Sequence, residues 1–335
     1  MTDHYEETDE TRSRVLTNRQ VFGFIAGYWM RRPWLMAGVV VFTLGYILLD
    51  LALPWASGRL VDAVAGGPQA VKRAWDAWGL FVGVYVVVAF VRNVANKLWI
   101  VLAARNMREM TDEAFAKVQS FSADWHADAF AGATVRRLSR AMWGYDSASD
   151  AVVIWIGPAV LVLVGLSGIM LFRWPVVGLF SLAISTLYIV SNLTLTARFG
   201  RPANLRSVAL DSRIGGALAD SITGNATVRS FGAETREEAR IAGVTEMWRV
   251  AVIRTWNRFT DIWLVQNLLL AALQGGLTGL IVLLWLKGRA TPGDVAFGIT
   301  AFMLMSGYLR NIGENIRMLQ KGMDDVEDVA RFMTM

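Results

Sequence analysis

The sequence predicts an all-α membrane protein, six transmembrane helices with long helical extensions into the cytoplasm. Three observations predict it: an apolar composition, six apolar stretches of bilayer length, and a helical repeat in the two long connections between them. Hydrophobic residues make up 54% of the chain and charged residues 18%, whereas soluble domains run nearer a half and a quarter. The 14 tryptophans suit a protein with two membrane interfaces, where amphipathic rings gather. Cysteine is absent, which excludes a disulfide framework, a thiolate metal site and a redox switch. His4 and His126 are the only imidazoles, and no metal site is expected from them.

Residues 1–16 read as a disordered tail; the opening is acidic, without the basic start and short apolar core of a secretory signal. Residues 17–32 read as an interfacial elbow helix. Asn18 is a possible cap, Val21, Phe22, Phe24, Tyr28 and Trp29 supply its apolar side, and Arg31 and Arg32 end it. The spans follow at 33–55, 75–104, 151–172, 175–197, 262–286 and 295–312, each near the ~20 apolar residues that a bilayer core requires. Pro33, Pro175 and Pro292 open helices, where a missing N–H costs nothing. Pro54 is placed at the end of the first span, and Pro158 as a kink in the third.

Basic residues set the orientation. Stretches 1–32, 105–150, 198–258 and 310–335 hold 25 of the 33 Lys and Arg, against 6 in the connections 57–73, 173–174 and 287–294. The positive-inside rule puts both termini in the cytoplasm of a multi-pass plasma (inner) membrane protein. The same distribution assigns the net charge of +5 to the bilayer, not to nucleic acid.

The loops 105–150 and 198–258 are helical hairpins. Met107, Met110, Ala114, Val118 and Phe121 repeat at helical steps, as do Val135, Leu138, Met142, Tyr145, Ser149 and Val152. The first hairpin breaks at Ser122–Gly132; the second runs Val208–Ile222, breaks near Thr223–Gly224 and returns over Val244–Trp256. Stalks of this kind present their tips to a partner, with scaffolding or a dimer contact as the plainer reading. Within the membrane, polar groups are costly and belong to a cavity or a neighbouring helix. Gln266, Asn267 and Gln274 in the fifth span are therefore candidate pathway residues, with an interhelical hydrogen bond as the equal alternative. Met303, Met305, Ser306 and Tyr308 offer an adaptable lining in the sixth span. Asp50 is a further candidate, or simply reaches water from the end of its helix. Gly275, Gly276 and Gly279 read as close-packing positions. Such a lining suits a hydrophobic or amphipathic cargo.

Several segments, in order, resemble the transmembrane domains of type I (type IV fold) ABC exporters. They are Leu51-Ala52-Leu53-Pro54 with Gly58–Asp62; Trp125-His126, Gly132 and Arg137-Leu138-Ser139-Arg140; Gly216–Gly224 followed by Thr227-Val228-Arg229-Ser230-Phe231 and Glu234; and Thr291-Pro292-Gly293-Asp294-Val295. His126 and Arg229 depart from the residues most common there, Phe and Lys. The resemblance implies a six-helix domain over 33–323 and a domain-swapped dimer with an identical or different second half. A bacterial origin is expected, and the resemblance implies short coupling helices that dock on nucleotide-binding domains. The first coupling helix would hold Asp124, Trp125, His126, Asp128 and Phe130, and the second Asn225, Thr227, Val228, Arg229 and Phe231. Trp125 and Phe231 would be apolar anchors. Trp125 could instead pack on its own hairpin.

Residues 324–335 would begin a linker to a nucleotide-binding domain missing from these residues. No G-x-x-x-x-G-K-[ST] loop occurs in the sequence, so these residues have no catalytic site or cofactor of their own. ATP and Mg would belong to the missing domain. Two other readings stay open: a proton-driven transporter of the same fold, and a non-transporting membrane scaffold.

Overall fold

The computed structural model describes residues 16–128 and 131–334, and every regular element among them is helical. Six helices are long and apolar enough to cross a membrane, beginning at Pro33, Pro68, Gly132, Pro175, Glu234 and Pro292. The tail expected over 1–16 lies, Leu16 apart, outside the described residues. The chain divides into two compact units: residues up to Leu179 with those from Leu277 onward, and Phe180–Gly276.

In the first unit, α1 (Asn18–Met30) starts on a capping box. Thr17, not Asn18, is the cap: the Gln20 N–H donates to Thr17 Oγ1, and the Thr17 N–H donates to Gln20 Oε1 at 2.8 Å. This satisfies donors that a helix start otherwise leaves open. Val21, Ile25, Tyr28 and Trp29 share one face and are buried. The helix thus buries Tyr28 and Trp29 in the protein and leaves Phe22 exposed. Two arginines fasten its end to α3 (Val71–Gln119): Arg31 pairs with Glu113, and Arg32 with Glu109.

Helix α2 (Pro33–Ala65) runs ten residues past the expected end of the first span, with Pro54 inside it. Pro54 has no N–H for its turn, yet the helix continues on both sides. Helix α3 has 49 residues, roughly 70 Å at 1.5 Å per residue, against a hydrocarbon core of ~30 Å. More than half of it therefore extends beyond the membrane. The short α4 (Ala123–Asp128) forms the first hairpin tip, and α5 (Ala131–Asp150) returns. Next comes a π-helical turn, Ala151–Ile156, and then α6 (Gly157–Arg173), where Pro158 stands. Proline lacks the N–H that would close the preceding turn, and the helix widens there instead of breaking.

The last helix, α11 (Pro292–Thr334), is unbroken for 43 residues. Residues 324–334, expected as a linker, are helical and packed. Val326, Val329 and Phe332 join Trp99, Leu102, Met110 and Tyr145 in one apolar core. Gly144 of α5 and Gly322 of α11 make this approach possible: a Cβ on Gly144 would lie 2.8 Å from the Gly322 carbonyl oxygen, and one on Gly322 would lie 2.6 Å from that of Gly144. Arg137 and Arg140 of α5 reach Asp328 at 3.5 and 3.7 Å, which ties the Arg-Leu-Ser-Arg stretch to the exit helix.

At the opposite end of this unit, two segments that the sequence shows separately form one lock. Asp62 accepts the Gly293 N–H at 2.7 Å and the Thr291 hydroxyl at 2.9 Å. A Cβ on Gly293 would stand 2.2 Å from the Gly58 carbonyl oxygen, so only glycine fits. Asp294 caps its own helix through the Thr291 N–H at 2.9 Å and holds Arg173 at 2.7 Å.

The second unit contains most of α7 (Pro175–Leu195), the π-turn Thr196–Gly200, α8 (Arg201–Thr223), α9 (Asn225–Ser230) and α10 (Glu234–Leu286) up to Gly276. This π-turn too precedes a proline, Pro202. The Thr255 hydroxyl donates to the Ala203 carbonyl at 2.9 Å and pins α10 to α8. A Cβ on Gly276 would meet the Phe180 ring at 2.1 Å, whereas Gly275 and Gly279 have nothing within 4 Å. Of the three glycines expected to serve close packing, only Gly276 meets a neighbouring side chain among the described residues.

Candidate functional site

The candidate residues fall into two hairpin tips and one membrane pocket. In the first tip, α4 begins on Ser122, whose hydroxyl accepts the Trp125 N–H at 3.2 Å, as an N-cap does. Trp125 is half-buried. Its ring lies 4.7 Å from Phe121 and 6.2 Å from Phe332 on α11, edge-on to the latter. The plainer alternative for Trp125, packing on its own hairpin, accounts for the Phe121 contact, whereas the Phe332 contact belongs to α11. Asp124 and His126 are exposed, and His126 stacks edge-on against Trp125 at 5.1 Å. The side chain of Asp128 and all of Phe130 lie outside the described residues.

The second tip is open. Gly224 ends α8, α9 makes little more than one turn, and Gly232, at φ +54°, takes the left-handed conformation that turns the chain into α10. Asn225, Thr227 and Arg229 are exposed, Val228 is half-buried, and Phe231 is 79% exposed. The base of this tip is tied by charge. Glu237 receives Arg240 at 2.5 Å and the Ser221 hydroxyl, while Arg240 also donates to the Ala217 carbonyl at 3.2 Å. Hydrogen bonds from Arg240 and then Ser221 pull the Glu237 carboxyl down to about 2.

A third polar cluster fixes the elbow. Tyr28 donates to Glu113 at 2.8 Å, and Arg32 donates to Asn106 at 2.9 Å. Asn106 in turn donates to Tyr145 at 2.9 Å. The Arg31 hydrogen bond lowers the Glu113 carboxyl, and that of Arg32 lowers Glu109. Burial, reinforced by Glu113, raises the Tyr28 phenol. Sequence reasoning missed this cluster because its partners stand some 40 to 85 positions apart.

The pocket lies in the first unit, among α2, α3, α11 and the π-turn Ala151–Ile156. It has a volume of about 370 Å³ and is lined by Tyr46, Arg92, Asn96, Trp155, Met303 and Tyr308, with Asn311 and Asn315 further along α11. Asp50 does not reach water: it is 2% exposed and holds Arg92 at 2.5 Å, with the Tyr308 hydroxyl at 3.5 Å. The Arg92 guanidinium also lies over the Tyr46 ring at 4.8 Å. Met303 and Ser306 stand on the open side of α11, whereas Met305 is fully buried and lines no pathway. Arg92, which the sequence alone marks only as a charge inside an apolar stretch, is the group that organises the site. Gln266, Asn267 and Gln274 belong to the second unit; Gln266 is half-buried, and Asn267 and Gln274 are exposed.

The model of the ABC transporter transmembrane region matches residues 36–309. The chain belongs to this family. Among its relatives, an ATM1-type heavy metal exporter of Novosphingobium aromaticivorans is 25% identical over 305 residues, covering 89% of this chain and 50% of that protein. An ATP-dependent lipid A-core flippase of Chromohalobacter salexigens is 24% identical over 333 residues, covering 93% and 52%. The structure of a bacterial Atm1-family ABC exporter with ATP bound superposes with a TM-score of 0.66 at 23% identity, over 91% of this chain and 54% of that one. This ABC transmembrane chain therefore spans about half the length of the curated relatives that it matches. It is a multi-pass membrane protein of the ABC exporter fold.

Proposed function

We propose that this chain forms the cargo pathway of an ATP-driven exporter and couples that pathway to ATPase domains through its two hairpin tips. The observation that carries this reading is the second tip: an apolar side chain, Phe231, stands 79% exposed where the short α9 ends, three residues before α10 begins. Ile222, 75% exposed, stands on the same tip, and an aromatic anchor can dominate a small interface. The partner is an ABC nucleotide-binding domain carrying ATP and Mg. A second transmembrane half, identical or not, completes the transporter, with both termini in the cytoplasm of a bacterial inner membrane. Asn225, Thr227 and Arg229 set the register of the contact, and Asp124 and His126 do so at the first tip. The stiff stalks carry a tip displacement into the membrane as a rigid-body movement.

The pocket around Arg92 and Tyr308 receives an amphipathic cargo, whose polar part meets the guanidinium and the asparagines and whose apolar part meets Trp155 and Met303. Gln266, Asn267 and Gln274 are further candidates for contact with the cargo. A proton-driven cycle would need a membrane carboxylate free to gain and lose a proton; Asp50, held by Arg92 at 2.5 Å, does not suit that task.

The test is cargo movement and ATP hydrolysis by vesicles that hold this chain assembled with its ATPase domains. Phe231→Ala is expected to leave the protein folded and hydrolysis present, while transport per ATP falls at least ~10-fold, as for loss of a hot-spot residue. Transport that follows a proton gradient and ignores ATP overturns the proposal. Trp125→Ala differs in kind: it opens the Phe121–Phe332 packing and lowers stability as well as coupling.

A further inference from the structure

Beside the tips and the pocket, α8 and α10 enclose a groove. Two cavities, about 550 and 280 Å³, meet at Arg206, Ala251 and Arg254 and run along a single face of the helix pair. Arg198, Arg206 and Arg213 line it from one side, and Arg254 and Arg258 from the other. All five are exposed, and among the described residues none has a carboxylate partner. Glu246, the acid in the lining, is already bound by Arg249 at 2.7 Å. Five guanidinium groups of one sign facing a concave surface repel one another until an anion arrives.

Height along the helices narrows the choice of anion. Arg198 directly follows the apolar stretch 175–197, and Arg258 stands four residues before Ile262, where the next apolar stretch begins. Trp256 and Trp263 flank that point on α10 and are 66% and 61% exposed, the placement of an aromatic belt at headgroup level. The groove thus opens where lipid phosphates lie and extends away from the membrane for roughly 20 Å along residues 198–213.

We propose that this groove binds the phosphate-bearing headgroup of an anionic phospholipid, with Arg198, Arg254 and Arg258 on the phosphate and Arg206 and Arg213 drawing it in. Arginine suits the task because its planar fork donates two hydrogen bonds to one phosphate. The assignment rests on 175–197 and 262–286 being membrane spans. It is independent of which cargo the pocket carries and of any ATPase partner.

The experiment uses the 335-residue chain, stripped of lipid in detergent and offered equal amounts of phosphatidylglycerol and phosphatidylcholine; native mass spectrometry then counts the lipids retained. The wild type is expected to keep phosphatidylglycerol in preference. Binding should weaken about fivefold for each of Arg198→Gln, Arg254→Gln and Arg258→Gln, and persist in the three Lys variants and in Lys72→Gln, an exposed cation outside the groove. Should one of the Gln variants misfold, the other two carry the comparison. Equal retention of both lipids, or undiminished binding by the Gln variants, overturns the proposal. So does displacement by free glycerol 3-phosphate at the concentration of the lipid, which would mark a site for soluble phosphates.

Discussion

Single residues carry the polar structure of this chain, and two ion pairs show how differently charge acts in and out of the membrane. Asp50 is 2% exposed and depends on Arg92. Asp50→Ala leaves a guanidinium without its partner inside an apolar span and is expected to cost about 2 kcal/mol. Asp50→Asn with Arg92→Gln, which removes both charges, should recover much of that loss. Thermal melts of the purified variants compare them. The pair at the second tip is exposed and acts on order, not on bulk stability. Glu237 sits at about 2 when folded, below the usual 4.5, so it is a depressed carboxylate whose contribution is complete above 4.5 and disappears as pH falls through about 2. The chain has no cysteine, so a spin label on Ala226→Cys reports this tip alone. Its mobility should stay low down to pH 4.5 and rise as pH approaches 2, while Glu237→Gln is mobile throughout. Asp50 illustrates what sequence position hides: nearness to a helix end suggests water, but its partners lie 42 and 258 positions away.

At the scale of elements, apolar length and helical period were enough to read all six membrane-crossing helices, because both are local properties of the chain. Boundaries were less legible. Pro54 reads as a terminator, yet α2 passes through it: inside a packed unit, neighbouring helices keep a turn in place after one hydrogen bond is lost. Residues 324–334, assigned to the start of a linker by resemblance alone, continue α11, and Val326, Val329 and Phe332 bury one stripe of it. Glycines show the same division. Gly275 and Gly276 are adjacent and equivalent in sequence, but only Gly276 faces a ring, that of Phe180. Gly276→Ala is expected to destabilise by about 1–3 kcal/mol through overpacking, and Gly275→Ala to be neutral or stabilising by up to ~1 kcal/mol through helix propensity. Denaturation of the two variants side by side decides the matter; equal effects would contradict the packing described.

For the whole molecule, the two tips differ in their attachment. The first is joined through Trp125 to Phe332 on α11, so a pull on it is shared with that helix, while the second carries the bare Phe231 and is tied within its own helix pair through Glu237 and Ser221. No period or motif in the sequence could show this, since the Trp125–Phe332 contact spans most of the chain. The two π-turns have a further consequence. Ala151–Ile156 and Thr196–Gly200 each lie where a stalk meets a span, and each coils more residues into a turn than an α-helix does. Amide exchange there is expected to outrun that of the turns on either side, and protection equal to the flanks would count against it. That surplus acts as slack wound into an otherwise inextensible rod. If the slack moves along by one residue, the helix beyond it swivels by about 100°, so a rod built to push also has the means to twist.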